Sequence, residues 1–225
     1  MDNSVNSNNV NNIISYKTVK KECAVEFTEK KSVFICSIKS VSDEKSAADF
    51  INKIRGEYNG ASHNVYAYII RNSNAVRFSD DGEPASTAGV PALSVLQKSG
   101  LTNVAAVVTR YFGGILLGAG GLVRAYSHSV SLAVSEAGIT VFENYTEFDA
   151  VCAYSDYDKL SKFINAEKII LDNTVFSENI TVSLAVKYDR FEKIQGDIIN
   201  LTNGKAVITE KGSRFTSTDL YYTNG

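Results

Sequence analysis

The chain is poor in the residues that build metal and redox centres. It has two histidines, His63 and His128, in 225 residues. Its three cysteines, Cys23, Cys36 and Cys152, are odd in number and form no CxxC pair. That supply argues against a zinc site and for reduced, buried thiols in a cytoplasmic protein. No run approaches the roughly 20 apolar residues of a membrane span. The first residues carry no basic region followed by an apolar segment, so they do not read as a signal peptide. They form an Asn-rich polar leader, residues 1–14, expected to be disordered. Net charge is -2 with a pI near 5.8, so no global charge advertises nucleic acid or an anionic membrane. Acidic residues are missing in one place: none stands between Glu83 and Glu136, where Lys98, Arg110 and Arg124 lie. A local positive bias of that size suits a small anion better than a long duplex.

Proline is scarce too, and both prolines, Pro84 and Pro91, fall between Arg77 and Tyr126 with eight of the 15 glycines. Such residues shape loops between regular elements, where sites are built. Strands are expected at Val19–Phe27 and Val33–Val41, followed by a helix capped by Ser42 or Asp43 with Ala47, Phe50, Ile51 and Ile54 inward. Val65–Ile70 and Ala75–Phe78 read as an antiparallel pair. A helix starts between Thr87 and Pro91, with Val90, Leu93 and Leu96 facing the core. The nearly continuous apolar run Val104–Tyr111 reads as a central strand covered on both faces, in a mixed sheet. The next helix runs from near Gly120 to Ala137, with Leu122, Tyr126, Val130, Ala133 and Ala137 on one stripe and Arg124, His128, Ser131 and Ser135 on another. Then come strands at Phe148–Tyr154, Ile169–Phe176, Ile180–Tyr188 and Ala206–Thr209, with Leu220–Tyr222 as a further candidate. Helices at Tyr157–Ala166 and Phe191–Leu201 separate them, giving the βαββαβ order of a ferredoxin-like sandwich. The domains are placed at residues 15–142 and 143–225.

The glycine segment fits neither nucleotide fingerprint. Val123 stands where a dinucleotide loop needs a small residue, and Ala119-Gly120 stand where a P-loop needs Lys-Ser/Thr. What remains is a glycine-rich turn entering a helix, followed by Arg124. Its free N–H groups either receive an anion or simply allow close packing. Asp80, Asp81 and Glu83 either hold a divalent cation or pair with Arg77, Arg110 or Arg124, and arginine pairing is preferred. His63 and His128 read as structural, and no local Ser–His arrangement is plausible on one helix. Tyr111 and Tyr126, beside the arginines, either stack bases or fill the core.

Three blocks carry a resemblance. Ser79-Asp80-Asp81-Gly82-Glu83-Pro84, Thr87-Ala88-Gly89-Val90-Pro91 and the run from Val108 through Gly113-Gly114, Gly118 and Gly120-Gly121 to Tyr126 closely resemble the YigZ/IMPACT family. Ala61-Ser62-His63-Asn64 is similar to that family's motif before its third strand. Ala119 and Leu116 depart from it, standing where many members carry threonine and lysine, which removes a hydroxyl and a positive charge from the loop. The resemblance implies an α+β protein: a ribosomal-protein S5 domain 2-like domain followed by a ferredoxin-like domain, a tandem similar to the end of elongation factor G. Eukaryotic members of the family are translational regulators, and the preferred reading of this chain is a translation-associated, non-catalytic regulator. That protein would bind RNA, the ribosome or a translation factor through Arg77, Arg110, Tyr111, Gly113, Gly114, Gly118, Gly120, Gly121, Arg124 and Tyr126. The alternative is a phosphate-ligand protein or enzyme using the glycine loop with Asp80, Asp81 and Glu83, and with His63 and Thr87 as further motif residues. No cofactor, metal or membrane partner is expected.

Overall fold

A computed structural model describes residues 15–217. Its contacts divide the chain into two units, one from Tyr16 to Val141 and one that takes in the chain from Phe142. The candidate strand Leu220–Tyr222 lies outside the described residues.

The first unit is built on an antiparallel sheet. β1 (Ser15–Val19) precedes β2 (Cys23–Glu29), so the strand expected from Val19 to Phe27 is broken. The two belong to different sheets: β1 pairs with the strand that starts at Ile139, and beside that pairing the N–H of exposed Lys20 donates to Gly138 O at 3.0 Å. Then come β3 (Ser32–Ser40), α1 (Glu44–Glu57), β4 (His63–Ile70), β5 (Ala75–Ser79), α2 (Gly89–Lys98), β6 (Val104–Tyr111) and α3 (Ala119–Ala137). The order across the sheet is β2-β3-β6-β4-β5, and every neighbouring pair is antiparallel. The mixed sheet is therefore corrected. A continuous apolar run reports cover on two faces, not strand direction. β6 has that cover: Ala105 and Val107 pack with Phe50, Ile51 and Ile54 of α1, while Val104, Ala106 and Val108 pack with Leu96 of α2 and Tyr126 and Val130 of α3.

Local chemistry sets the helix limits. Asp43 accepts the Ser46 N–H at 2.7 Å while Ser46 Oγ accepts the Asp43 N–H at 3.1 Å, a reciprocal box that starts α1. On α2, Leu93 and Leu96 are buried, but Val90 is exposed on the outer side, against the expectation. On α3 all five stripe residues are buried and Arg124, His128, Ser131 and Ser135 are exposed.

The chain enters the second unit without a linker, because β7 (Ile139–Cys152) runs through the boundary as one strand. α4 (Tyr154–Ala166), β8 (Ile170–Phe176), β9 (Ile180–Lys187), a 3-10 turn at Tyr188–Arg190, α5 (Phe191–Leu201) and β10 (Val207–Ser217) follow. The antiparallel path β8-β9-β7-β10 is that of the ferredoxin-like sandwich, and β1 adds a fifth strand by pairing with β7. Phe148, Val182 and Leu184 of the sheet bury Leu160 and Ile164 of α4 and Ile194 and Ile198 of α5. No helix among the described residues is long and apolar enough to cross a membrane.

Candidate functional site

β5 delivers the chain to the carboxylate loop, and each acid there has a different task. The Asp80 carboxylate accepts the N–H groups of Ser86, Ala88 and Gly89 at 2.9, 3.1 and 2.8 Å. It thereby caps α2, whose own N-cap residue, Ala88, has no side chain that could do so. Asp81 accepts the Asn64 N–H at 2.7 Å and pairs with Arg55 at 2.8 Å, fixing the loop to β4 and α1. The Thr87 hydroxyl donates to Pro84 O at 2.7 Å.

Glu83 turns inward. Its Oε1 accepts Arg110 Nη1 at 2.6 Å and the Tyr126 hydroxyl at 2.7 Å. The pair is buried, with 6% and 3% of the two side chains exposed. Arg110 sits on β6 in register with Phe34 of β3 and His63 of β4. Its guanidinium lies 5.4 Å from the Phe34 ring and 5.5 Å from the Phe112 ring, within cation–π range. Arg110 Nη2 reaches Ser32 Oγ at 3.4 Å, and Nε is buried with no hydrogen-bond partner. Burial first, and then the Glu83 charge, push the Tyr126 phenol well above the usual tyrosine range. His63 completes the group. Its Nδ1 lies 2.8 Å from the Asp81 carbonyl, which can only accept, so Nδ1 carries a proton. Nε2 is 3.8 Å from Glu83 Oε1.

The glycine loop closes this network into a cleft of about 400 Å³. His63, Glu83 and Arg110 line its floor, Phe112 and Leu116 its wall, and Gly118-Ala119 its end. Gly118 is the N-cap of α3 at φ 72°, a conformation that glycine accepts without strain, and it offers no side chain to the helix. The first helical bond runs from Leu122 N to Gly118 O, so the N–H groups of Ala119, Gly120 and Gly121 have no partner within the helix. With the helix dipole they form an acceptor site for an anion. Gly113 answers to packing instead: a Cβ there would collide with the Lys31 carbonyl, and its N–H donates to Ser32 Oγ at 3.2 Å.

The structure does not gather all the residues that the sequence grouped. Arg110 and Arg124 do not share a surface. Arg110 belongs to the cleft floor, while Arg124 lines a separate notch of about 210 Å³ with Phe27, Lys30 and His128. The cause is that Arg110 lies on a strand covered on both faces and Arg124 on the outer face of α3. Arg77 is exposed on β5, with Nη1 on Val76 O. Tyr126 has 0% exposure, so it stacks no base. Tyr111 is half-buried at the end of β6 opposite Val33. Gly114 and Gly120 lie exposed in the loop and in the first turn of α3. The expected arginine pairing forms at Glu83, but Asp81 takes Arg55, which is none of the three arginines expected. Asn64, whose Oδ1 accepts the Thr109 hydroxyl at 2.7 Å, and Ser32 were also missed. Asn64 was signalled by its place in Ala61-Ser62-His63-Asn64.

Comparison with known proteins places these features in a lineage. The model described as Impact N-terminal domain matches residues 30–134, which contain the whole cleft. A second, described as a domain of unknown function (DUF1949), matches residues 151–205. The chain is 40% identical over 197 residues to the IMPACT family member YvyE of Bacillus subtilis, covering 87% of this chain and 91% of that protein. It is 36% identical over 190 residues to an IMPACT family member of Haemophilus influenzae, covering 82% and 92%. A crystal structure of a hypothetical protein, 29% identical, superposes with a TM-score of 0.59 over 87% of this chain and 97% of that one. With this identity over nearly the full length of its relatives, the chain belongs to the IMPACT family.

Proposed function

We propose that this protein is a translation-associated binding module that takes phosphate groups of RNA into the cleft of its first unit. One observation carries the reading: the uncapped N-terminus of the 19-residue helix α3 ends that cleft. Three unpaired N–H groups and the positive end of the dipole favour an anion there. Exposed Phe112 and Leu116 on the wall give a base an apolar surface to lie against. The buried Arg110–Glu83–Tyr126 network holds the floor rigid. A cytoplasmic location belongs to the same proposal.

The test is Ala119→Asp, measured by fluorescence anisotropy with labelled single-stranded RNA. An acid in the first turn suits helix α3 and repels an anion, so stability is kept while binding is lost. A loss of roughly ten-fold, about 1.4 kcal/mol, is expected. Unchanged affinity removes the cleft from the interaction.

A second reading, an enzyme acting on a phosphate ester, has one observation behind it. His63 is held through Nδ1, which leaves Nε2 for proton transfer at the cleft floor. Phosphate release from a chromogenic ester that is lost in His63→Gln would favour it.

A further inference from the structure

Six basic side chains of the first unit are committed to an acid. Lys21 pairs with Glu136, Lys39 and Lys53 with Glu22, Lys45 with Asp49, Arg55 with Asp81 and Arg110 with Glu83. Lys30, Lys31 and Arg124 make no ion pair among the described residues, and neither do Lys17, Arg77 and Lys98, but only Lys30 and Arg124 of these line a common hollow. Lys30 and Arg124 face one notch, whose floor is Phe27 with His128 set edge-on against it at 5.0 Å between ring centroids. One acid, Glu29, also lines it, so the notch keeps a net positive charge.

The notch adjoins the cleft. Leu117 lines both, and Gly121, in the first turn of α3, lines the notch. The two hollows therefore lie on either side of the start of α3. Ala119 and Arg124 are five positions apart on α3, and the Arg124 side chain reaches back along the helix, its Nη1 3.6 Å from where a Cβ on Gly120 would lie.

Charge distinguishes the two hollows. In the cleft Glu83 cancels Arg110, which leaves the helix end, roughly half a positive charge. Such a floor suits a singly charged phosphodiester and disfavours a doubly charged terminal phosphate beside Glu83. The notch supplies the uncommitted cations that the cleft lacks. We propose that the notch of Lys30, Arg124 and His128 is a second phosphate subsite, and that the ligand is a single-stranded polynucleotide whose consecutive phosphodiesters straddle the first turn of α3. This rests on the cleft being a phosphate site. A duplex fits less well, because it calls for a longer row of cations than this surface carries.

The test is a length series of 5′-hydroxyl oligouridylates, from a dinucleotide with one phosphodiester to a trinucleotide and an octanucleotide. Affinity is read by anisotropy over a range of salt for wild type, Lys30→Gln/Arg124→Gln and Ala119→Asp. Circular dichroism melting checks that each variant is folded. Wild type should gain affinity steeply when the second phosphodiester is added. The double variant should lose that step, and its salt slope for the octanucleotide should fall by about 0.7, from one phosphate no longer neutralised. A double variant that keeps both step and slope overturns the second subsite while the cleft reading stands. Binding that needs Lys30 and Arg124 but ignores Ala119→Asp overturns the cleft reading and, with it, the two-subsite track. No binding by wild type to any oligonucleotide overturns both.

Discussion

Each unit holds an arginine bound to carboxylates across several elements, and the two differ mainly in water. In the first, Arg110 and Glu83 are almost wholly enclosed and Tyr126 adds its hydroxyl. In the second, Arg214 of β10 reaches Glu147 of β7 at 2.7 Å and Asp172 of β8 at 2.8 and 2.9 Å, with about a third of each side chain exposed. The hydrogen bonds to Asp172 hold the Arg214 guanidinium in its charged form even more firmly than usual. The exposed trio has more hydrogen bonds, yet solvent and salt screen it. The enclosed trio has fewer, but losing one partner leaves a charge with nothing to replace it. Position in the fold, not the number of contacts, sets what each network does: one fixes a cleft floor, the other decorates a sheet.

Glu83→Ala should show the largest effect. It strands Arg110 in the interior, and the first unit should lose about 3–5 kcal/mol in chemical unfolding, with no rescue by salt. A loss below about 1 kcal/mol would make the two networks equivalent. Tyr126→Phe should cost about 1.5–3 kcal/mol at neutral pH, the worth of a hydrogen bond to a charged group. It should also change the alkaline limb. An unfolded tyrosine ionises near pH 10, whereas Tyr126 in the fold ionises higher, so its contribution is complete below about pH 10 and fades as pH rises further. The variant should therefore lose less stability on going alkaline than wild type does. Asp80→Ala removes the cap of α2 and should cost about 0.5–2 kcal/mol, visible in the melting temperature. Arg214→Ala should cost at most about 1 kcal/mol, and the difference from wild type should shrink as salt is added. A salt-independent loss would break the contrast from the other side.

The elements were largely legible because their signals are local. Asp43 with Ser46, the α3 stripe and the apolar run of β6 each lie within one element, where periodicity and capping act. Contacts between elements were not. Asp81 finds Arg55 across 26 positions, and no local pattern favours Arg55 over Arg77. Grouping Arg110 with Arg124 treated closeness in the chain as closeness in space. The run Val104–Tyr111 already held the correction, since an arginine on a strand enclosed on both sides belongs to the interior. The glycines divided between both readings: Gly113 serves packing, and Gly118 leaves a helix end uncapped. Asp80 looked like part of an acidic cluster because the backbone donors that claim it become available only once the loop has folded back.

That folding back has a consequence for motion. Ser86, Ala88 and Gly89 give their amide protons to the carboxylate of Asp80, while Asp81 ties the same loop to two other elements. Loops usually trade amide protons with solvent through small local fluctuations. This one must let go of several anchors together. Its amides should exchange as slowly as those of the strands beside it, so the floor of the cleft, which this loop supplies through Glu83, stands ready before any ligand arrives and little disorder is left to be lost on binding.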